Sequence, residues 1–346
     1  MTLPVQARSA SECIPTECIP GNGAGGMHLL ALRACISTVG EVRINDCAVC
    51  GNRRFLRPFP RRLPWIARCQ DCGMVFCDPQ PSADELAGIY DGDYYQTFGY
   101  RASNRDAYRT MKQISCERLL KRLGKRLGTD TSFTVVANAG SVGHGRLLDV
   151  GSALGDLISV ARLGGWDVTG IEPNVYAAAE ADRLIPGATF CGTLDQFDGE
   201  PAAFGAITCC DVLEHLRRPD VELRRMFELL RPGGELLITT VDVRGWQSRL
   251  FGSRWVHYHR DHLWYFSRQT LARMAAAAGF EVVKCGPASK TFNLDYILGI
   301  LSAQSNFGLQ QRVAKLGLSV LPRSWLRKTL PPLREGLLLV ARRPFG

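Results

Sequence analysis

No stretch of the 346 residues approaches the roughly 18 consecutive apolar positions of a membrane-spanning helix, which excludes such a helix. The apolar patch Met27–Cys35 is too short and lies too far inside the chain to read as a secretory signal. Cysteine is sparse: thirteen residues, an odd number, are too few for a disulfide scaffold of this length. With no export signal, a reducing cytoplasm is the expected compartment, and clustered cysteines are read as metal ligands first. Internal repeats and low-complexity tracts are missing as well. Charged residues make up only 22% against 46% hydrophobic, which excludes disorder of the whole chain. The length suits two domains, or one large domain with appendages.

The formal charge of +9 is unevenly placed. Arg53, Arg54, Arg57, Arg61, Arg62 and Arg68 follow one another with no acid between them. Residues 101–126 and 305–346 carry +7 each, so the rest of the chain is acidic, at −11. Basic peripheral segments suit an anionic partner such as a phosphate-bearing substrate, a membrane surface or a nucleic acid. Solvated helix faces account for each patch equally well.

Residues 1–40 hold Gly, Ser and Pro without periodicity and are expected to be a disordered tail. Residues 41–80 form a cysteine-bearing module. Residues 81–145 are expected to be a helical linker or cap that starts at Ser82 and Glu85, a capping-box pair, and ends in a polar, glycine-containing stretch from about 128. From residue 146 to 346, short apolar runs alternate with amphipathic segments. Strands are expected at 146–150, 167–172, 188–191, 205–210, 235–241 and 280–284, and helices at 153–163, 174–184, 219–230 and 268–278. That alternation gives an α/β, doubly wound sheet. Residues 288–335 are expected to be a mainly helical insertion before a last strand at 336–342.

Two Cys-x-x-Cys pairs, Cys47/Cys50 and Cys69/Cys72, are separated by 18 residues, and each is followed by glycine. Each pair makes a tight knuckle whose two thiolates face one point, and two knuckles complete a tetrahedral sulfur site suited to zinc. Four thiolates leave no open position, so the expected role is structural.

Leu147–Asp156 reads LLDVGSALGD and joins the first strand of the alternating region to its first helix. The G-x-G-x-x-G of a pyrophosphate loop is absent. Asp149 instead precedes the first glycine, where it would repel a pyrophosphate but suits a ligand that carries an ammonium group. Glu172 ends the second strand, where a carboxylate can accept bonds from ribose hydroxyls. The contrast favours S-adenosylmethionine over NAD. With VTGIEP (168–173), CDVLEHLRRP (210–219), LLRPGGELLITT (229–240), HLWYFSRQTLARMAAAAGF (262–280) and CGMVFCDPQPSADELAGIYDGDYY (72–95), the chain resembles class I S-adenosylmethionine-dependent methyltransferases of a subgroup with a short N-terminal zinc module.

The resemblance implies a Rossmann-like seven-stranded methyltransferase sheet, a small four-cysteine zinc module and a helical C-terminal insertion. By position it places Gly151, Ser152 and Gly155 against the methionine part of the cofactor, with Asp149 near its ammonium. Glu172 would hold the ribose, and Thr193 and Leu194 would flank the adenine. Asp211 and Val212 would form the pocket floor beside the sulfonium. Ala153 stands where the family commonly has glycine, and its small side chain is expected to leave binding intact.

A sulfonium methyl is already activated, so in-line alignment with the nucleophile supplies much of the catalysis. A base is needed only where the acceptor must lose a proton. His215, His257, His259 and His262 fall at the carboxyl edge of the sheet, with His215 and His262 the favoured catalytic candidates. The competing reading has His215 capping the next helix and His262 packing on Trp264 and Tyr265. Asp211, Glu214 and His215 also make a D-x-x-E-H cluster that resembles the divalent-ion site of certain quinone-biosynthesis O-methyltransferases.

The insertion mixes Leu309, Val313, Leu316, Leu318, Val320, Leu321 and Trp325 with Arg312, Lys315, Arg323, Arg327 and Lys328, a pattern for an active-site cap or an anionic membrane surface. Three functions stay open. The first is methyl transfer to a small molecule or a glycan or lipid-linked saccharide precursor. The second is an RNA methyltransferase, disfavoured because the fourth strand ends without an (N/D)-P-P-(Y/F) clamp and no Pro-Cys nucleophile pair occurs. The third is a non-catalytic scaffold on the same fold.

Overall fold

The apolar runs from Arg146 onward become the strands of one sheet because most of them are buried along nearly their whole length, as in β4 (Arg146–Val150) and β7 (Phe204–Cys210). The computed structural model describes residues 40–59, 63–89, 105–127, 145–303 and 308–345. The expected N-terminal tail and the glycine-containing stretch at 128–144 lie outside the described residues.

In chain order the first part holds β1 (Phe55–Leu56), β2 (Ile66–Cys69), β3 (Val75–Cys77), α1 (Ala83–Ile89) and α2 (Arg105–Leu127). The alternating region follows with β4, α3 (Asp156–Leu163), β5 (Asp167–Glu172), α4 (Val175–Leu184), β6 (Thr189–Cys191), β7, α5 (Pro219–Leu229) and β8 (Leu230–Thr240). It continues with α6 (Trp246–Phe251), β9 (Trp264–Tyr265), α7 (Arg268–Ala277) and β10 (Glu281–Lys290). The last elements are α8 (Leu294–Ala303), α9 (Gly308–Val320), α10 (Arg323–Leu326) and β11 (Leu333–Arg342).

The seven-stranded sheet runs β10-β11-β8-β7-β4-β5-β6. Its β8-β7-β4-β5-β6 part is parallel, and β11 lies antiparallel between β8 and β10. The order changes direction at β4, with β5 on one side and β7 on the other, so the carboxyl ends of these strands open a crevice for a ligand. Leu148, Ile207, Leu236, Ile238 and Leu339 are fully buried in the sheet's core. Each such side chain contributes roughly 1.5–3 kcal/mol of transfer free energy.

Several boundaries differ from the sequence expectation. The helix after β4 starts at Asp156 rather than Ala153, because Gly151, Ala153 and Gly155 hold positive φ of 76°, 48° and 81°, which no helix accommodates. Ser82 and Glu85 do form a reciprocal cap, Ser82 N donating to Glu85 Oε2 at 2.8 Å and Glu85 N to Ser82 Oγ at 3.1 Å. β10 extends to Lys290 and β11 begins at Leu333, so the two pair well past the expected limits and the helical segment between them shortens. α2 is more than a linker. Its Cys116, Leu120 and Leu123 pack with Leu157, Ile158 and Ala161 of α3 in one buried cluster.

The N-terminal module is also fused to the main body. A second sheet, β1-β2-β3-β9, takes its last strand from the loop after α6. Val75 and Phe76 pair with Tyr265 and Trp264, and Cys77 N donates to Leu263 O at 2.9 Å. Cys69, Met74 and Phe76 then share one core with Leu148, Ile207 and Ile238.

Candidate functional site

A cavity of about 1760 Å³ opens at the carboxyl edge of the parallel strands. That exceeds the roughly 300–1,000 Å³ of an ordinary small-molecule pocket, which leaves room for two ligands. One end is built by β4, β5 and the bend after β4. Parallel register pairs Asp149 with Thr208, and Thr208 Oγ1 donates to Asp149 Oδ1 at 2.6 Å. Asp149 is buried, and burial raises its carboxyl from 3.8 to about 7, with the Thr208 bond opposing and the Glu172 charge adding to the rise. A buried acid of this kind, with no cation beside it among the described residues, gains most from a cationic partner.

The Gly151 and Ser152 amides both donate to Ile171 O, at 2.8 and 3.0 Å, which folds the bend onto β5. A Cβ on Gly151 would lie 2.3 Å from Val212 Cγ2, so glycine is required by space as well as by φ. Glu172 is fixed by two backbone amides: Ala153 N donates to Oε2 and Asn174 N to Oε1, each at 2.9 Å. Thr193 and Leu194 line the same end. Gly155 does not line the cavity; a Cβ there would come within 3.0 Å of Ala181, so its smallness serves the contact between α3 and α4. Ser152 does line the cavity, and its buried hydroxyl has no hydrogen-bond partner among the described residues.

At the other end Asp211, also at positive φ (58°), accepts two bonds from Lys290 Nζ at 2.7 and 2.8 Å and one from Thr239 Oγ1 at 3.1 Å. Burial favours the neutral acid there, but Lys290 and Lys112 outweigh it and hold the carboxyl down, at about 2. The D-x-x-E-H reading therefore changes: Lys290 stands on Asp211, and the donors that gather with Glu214 and His215 are those of His262, within 4.8 Å of one another. Glu214 is buried, accepts from Thr240 Oγ1 at 2.8 Å, and is raised to about 8 by burial and then by the Asp211 charge.

His215 does not cap α5, whose N-cap is Arg218. Its Nδ1 lies 2.9 Å from the Asp261 carbonyl oxygen, and its ring meets His262 edge-on at 4.7 Å. Burial lowers its pKa, and burial together with the neighbouring histidines drives His262 well below the usual value. His262 packs mainly on His259, with ring centroids 3.9 Å apart, and Tyr265 stands off at 6.1 Å. Thr208, Lys290, Asp261 and Lys112 were not legible as site residues from the chain. Thr208 alone had a signal, as the in-register neighbour of Asp149 once β4 and β7 are paired.

In the N-terminal module, Cys47 Sγ is 3.5 Å from Cys72 Sγ and Cys50 Sγ is 3.7 Å from Cys69 Sγ, with all four sulfurs within 4.8 Å of one another. Sulfurs bound to one zinc at about 2.3 Å stand roughly 3.8 Å apart in a tetrahedron, so the donor set fits that ion.

A seven-stranded sheet of this order, with an acid before its glycine bend and an acid ending the next strand, defines a Rossmann-like methyltransferase fold. The family described as a methyltransferase domain matches residues 105–285, and the chain belongs to that family. The match begins at α2, in keeping with that helix's packing on α3. A ubiquinone biosynthesis O-methyltransferase of Chromobacterium violaceum is 32% identical over 108 residues, covering 30% of this chain and 47% of the relative. A tRNA U34 carboxymethyltransferase of Methylococcus capsulatus is 29% identical over 154 residues, covering 42% of this chain and 48% of the relative. The chain thus spans about half the length of these curated relatives. Among solved structures, Haemonchus contortus phosphoethanolamine N-methyltransferase 2 with S-adenosyl-L-methionine is similar at 16% identity and a TM-score of 0.43, over 78% of this chain and 63% of that one.

Proposed function

We propose that the chain methylates a small molecule or a glycan or lipid-linked saccharide precursor by in-line displacement at the S-adenosylmethionine sulfonium. The observation that carries this reading is the pair of buried acids, Asp149 and Glu172, at one end of a cavity too large for the cofactor alone. Asp149 takes the ammonium and Glu172 the ribose, while Gly151 and Ser152 lie along the methionine part. Thr193 and Leu194 flank the adenine, and Asp211 and Val212 floor the pocket beside the sulfonium. The acceptor lies between Asp211, Lys290 and the insertion, whose Phe292, Tyr296, Ile297 and Ile300 give that end an apolar wall. If the Asp261 carbonyl accepts the Nδ1 hydrogen of His215, Nε2 keeps the lone pair for an acceptor proton, so His215 is the candidate base, with His262 beside it.

Cys47, Cys50, Cys69 and Cys72 would hold a structural zinc that fixes the module against β9. The RNA reading loses ground because Arg53 pairs with Asp46, Arg54 with Asp71 and Arg57 with Asp78, which leaves fewer arginines for phosphates. Val313, Leu316 and Val320 lie exposed on one face of α9, with Trp325 exposed nearby and Arg312, Lys315, Arg323, Arg327 and Lys328 among them. That pattern fits peripheral contact of a cytoplasmic enzyme with an anionic membrane. No helix among the described residues is long and apolar enough to cross one.

Two measurements test the proposal. Calorimetry with S-adenosylhomocysteine should show saturable binding that Glu172→Ala weakens at least tenfold. Methyl transfer from labelled cofactor into cell extracts, separated into lipid, glycan and RNA pools, should label the first or second pool. Label confined to RNA would overturn the acceptor assignment.

A further inference from the structure

We infer that His257, His259 and His262 form a binding site for a late first-row divalent transition metal, of the zinc, nickel or cobalt class. One ring nitrogen from each residue lies within 4.8 Å of one from each of the others. Neutral imidazoles in threes suit these ions rather than magnesium or calcium. His262 is only 6% exposed, and its Nδ1 is buried with no hydrogen-bond partner among the described residues. A polar atom left in that state lacks the partner that buried groups almost always have, and a metal supplies one.

The second observation is the support around the rings. His257 Nε2 is 3.1 Å from Glu335 Oε1, and His259 Nδ1 is hydrogen-bonded to the Asp261 carboxylate. A carboxylate on one ring nitrogen fixes orientation and leaves the other for a metal, which is how metal-bound histidines are held. The loop itself is anchored: Tyr265 Oη donates to His259 O at 2.9 Å, and Leu263 N to Glu214 O at 2.8 Å. Asp261 and Glu335 supply two negative charges, and Lys290, whose charge acts on His262, is paired with Asp211. All three histidines line the acceptor end of the cavity, so a position left open on the ion faces the acceptor. His262 is shared with the Glu214 and His215 cluster, whose glutamate already accepts from Thr240, while His257 and His259 belong to the three-histidine set alone.

The test uses the full chain with its four-cysteine centre zinc-loaded. Nickel uptake is read by equilibrium dialysis and elemental analysis, independently of methyl transfer. Wild type should take up about one nickel per chain at this site. His257→Ala with His259→Ala should lose at least tenfold in affinity, and Glu335→Gln about tenfold through its hold on His257. Binding of S-adenosylhomocysteine reports the fold of each variant and tests the cofactor reading on its own. Cobalt in place of nickel should give imidazole-type spectra without thiolate-to-metal charge transfer. Absence of saturable uptake by wild type would overturn the site, as would full uptake by the double variant or by Glu335→Gln.

Discussion

On the proposed assignment of Asp149 to the ammonium, cofactor binding should be a proton-linked event with a calculable slope. The Asp149 carboxyl is raised from 3.8 to about 7, mainly by burial. A raised carboxyl penalises the folded chain as pH climbs: the penalty is absent below the unfolded pKa and complete above about 7. At about 1.4 kcal/mol per pH unit, keeping Asp149 ionised there costs about 4 kcal/mol relative to an unfolded chain. An ammonium placed against the carboxylate offsets that cost, so the ligand selects the ionised form. Below the raised pKa, each pH unit should weaken binding about tenfold, giving roughly a hundredfold loss at pH 5 and twofold at pH 7 against the plateau. Calorimetric titration with S-adenosylhomocysteine in buffers of different ionisation enthalpy should also show about half a proton released at pH 7. Asp149→Asn should bind weakly and remove the slope. A Kd that stays flat between pH 5 and pH 8, or an Asn variant that keeps the wild-type slope, would refute the assignment.

Gly151→Ala should lower stability by about 2–4 kcal/mol, because the added Cβ meets Val212 in a left-handed backbone; a denaturant midpoint unchanged from wild type would contradict this. Cys72→Ser should release the zinc and lower the melting temperature of the whole chain, since β3 is paired to β9; elemental analysis and calorimetry read both, and a separate low-temperature transition would show the module to be independent. Lys290→Met leaves Asp211 without its main counter-charge. With the Asp211 side chain still 35% exposed, solvent screening keeps the loss at pH 7 to about 1–2 kcal/mol. Because Asp211 is held down in the wild type, its stabilisation is present above the unfolded value and lost as pH falls through about 2. The gap between variant and wild type should therefore narrow in acid, and a gap constant from pH 7 to pH 3 would show that Lys290 acts by packing instead.

Local chemistry carried the sequence reading furthest where one segment is self-sufficient. Ser82 and Glu85 cap a helix with each other, the two Cys-x-x-Cys knuckles converge, and the acid-plus-glycine bend and Glu172 meet because β4 and β5 are consecutive and parallel. It ran short where partners come from distant elements. Nothing near Lys290 marks it as the counter-ion of Asp211, and it arrives there only because β10 runs longer than its apolar run suggests and pairs with β11 along that extra length. Gly155 shows a packing demand that the motif reading did not foresee, because its missing side chain admits Ala181.

The same reasoning joins the N-terminal module to the chemistry. HLWYFS was legible as a family motif, but its physical work is done by two residues that complete the module's sheet. Phe76 pairs with Trp264 and Val75 with Tyr265, while the Tyr265 hydroxyl holds the His259 carbonyl and Trp264 Nε1 donates to Leu216 O at 2.8 Å. β3 and β9 thus link the cysteine module to the loop that carries His257, His259 and His262, and to the turn that carries His215. Metal loss from the four cysteines should therefore disturb the acceptor end of the cavity more than the cofactor end, which is built from β4 and β5 on the far side of the switch in strand order.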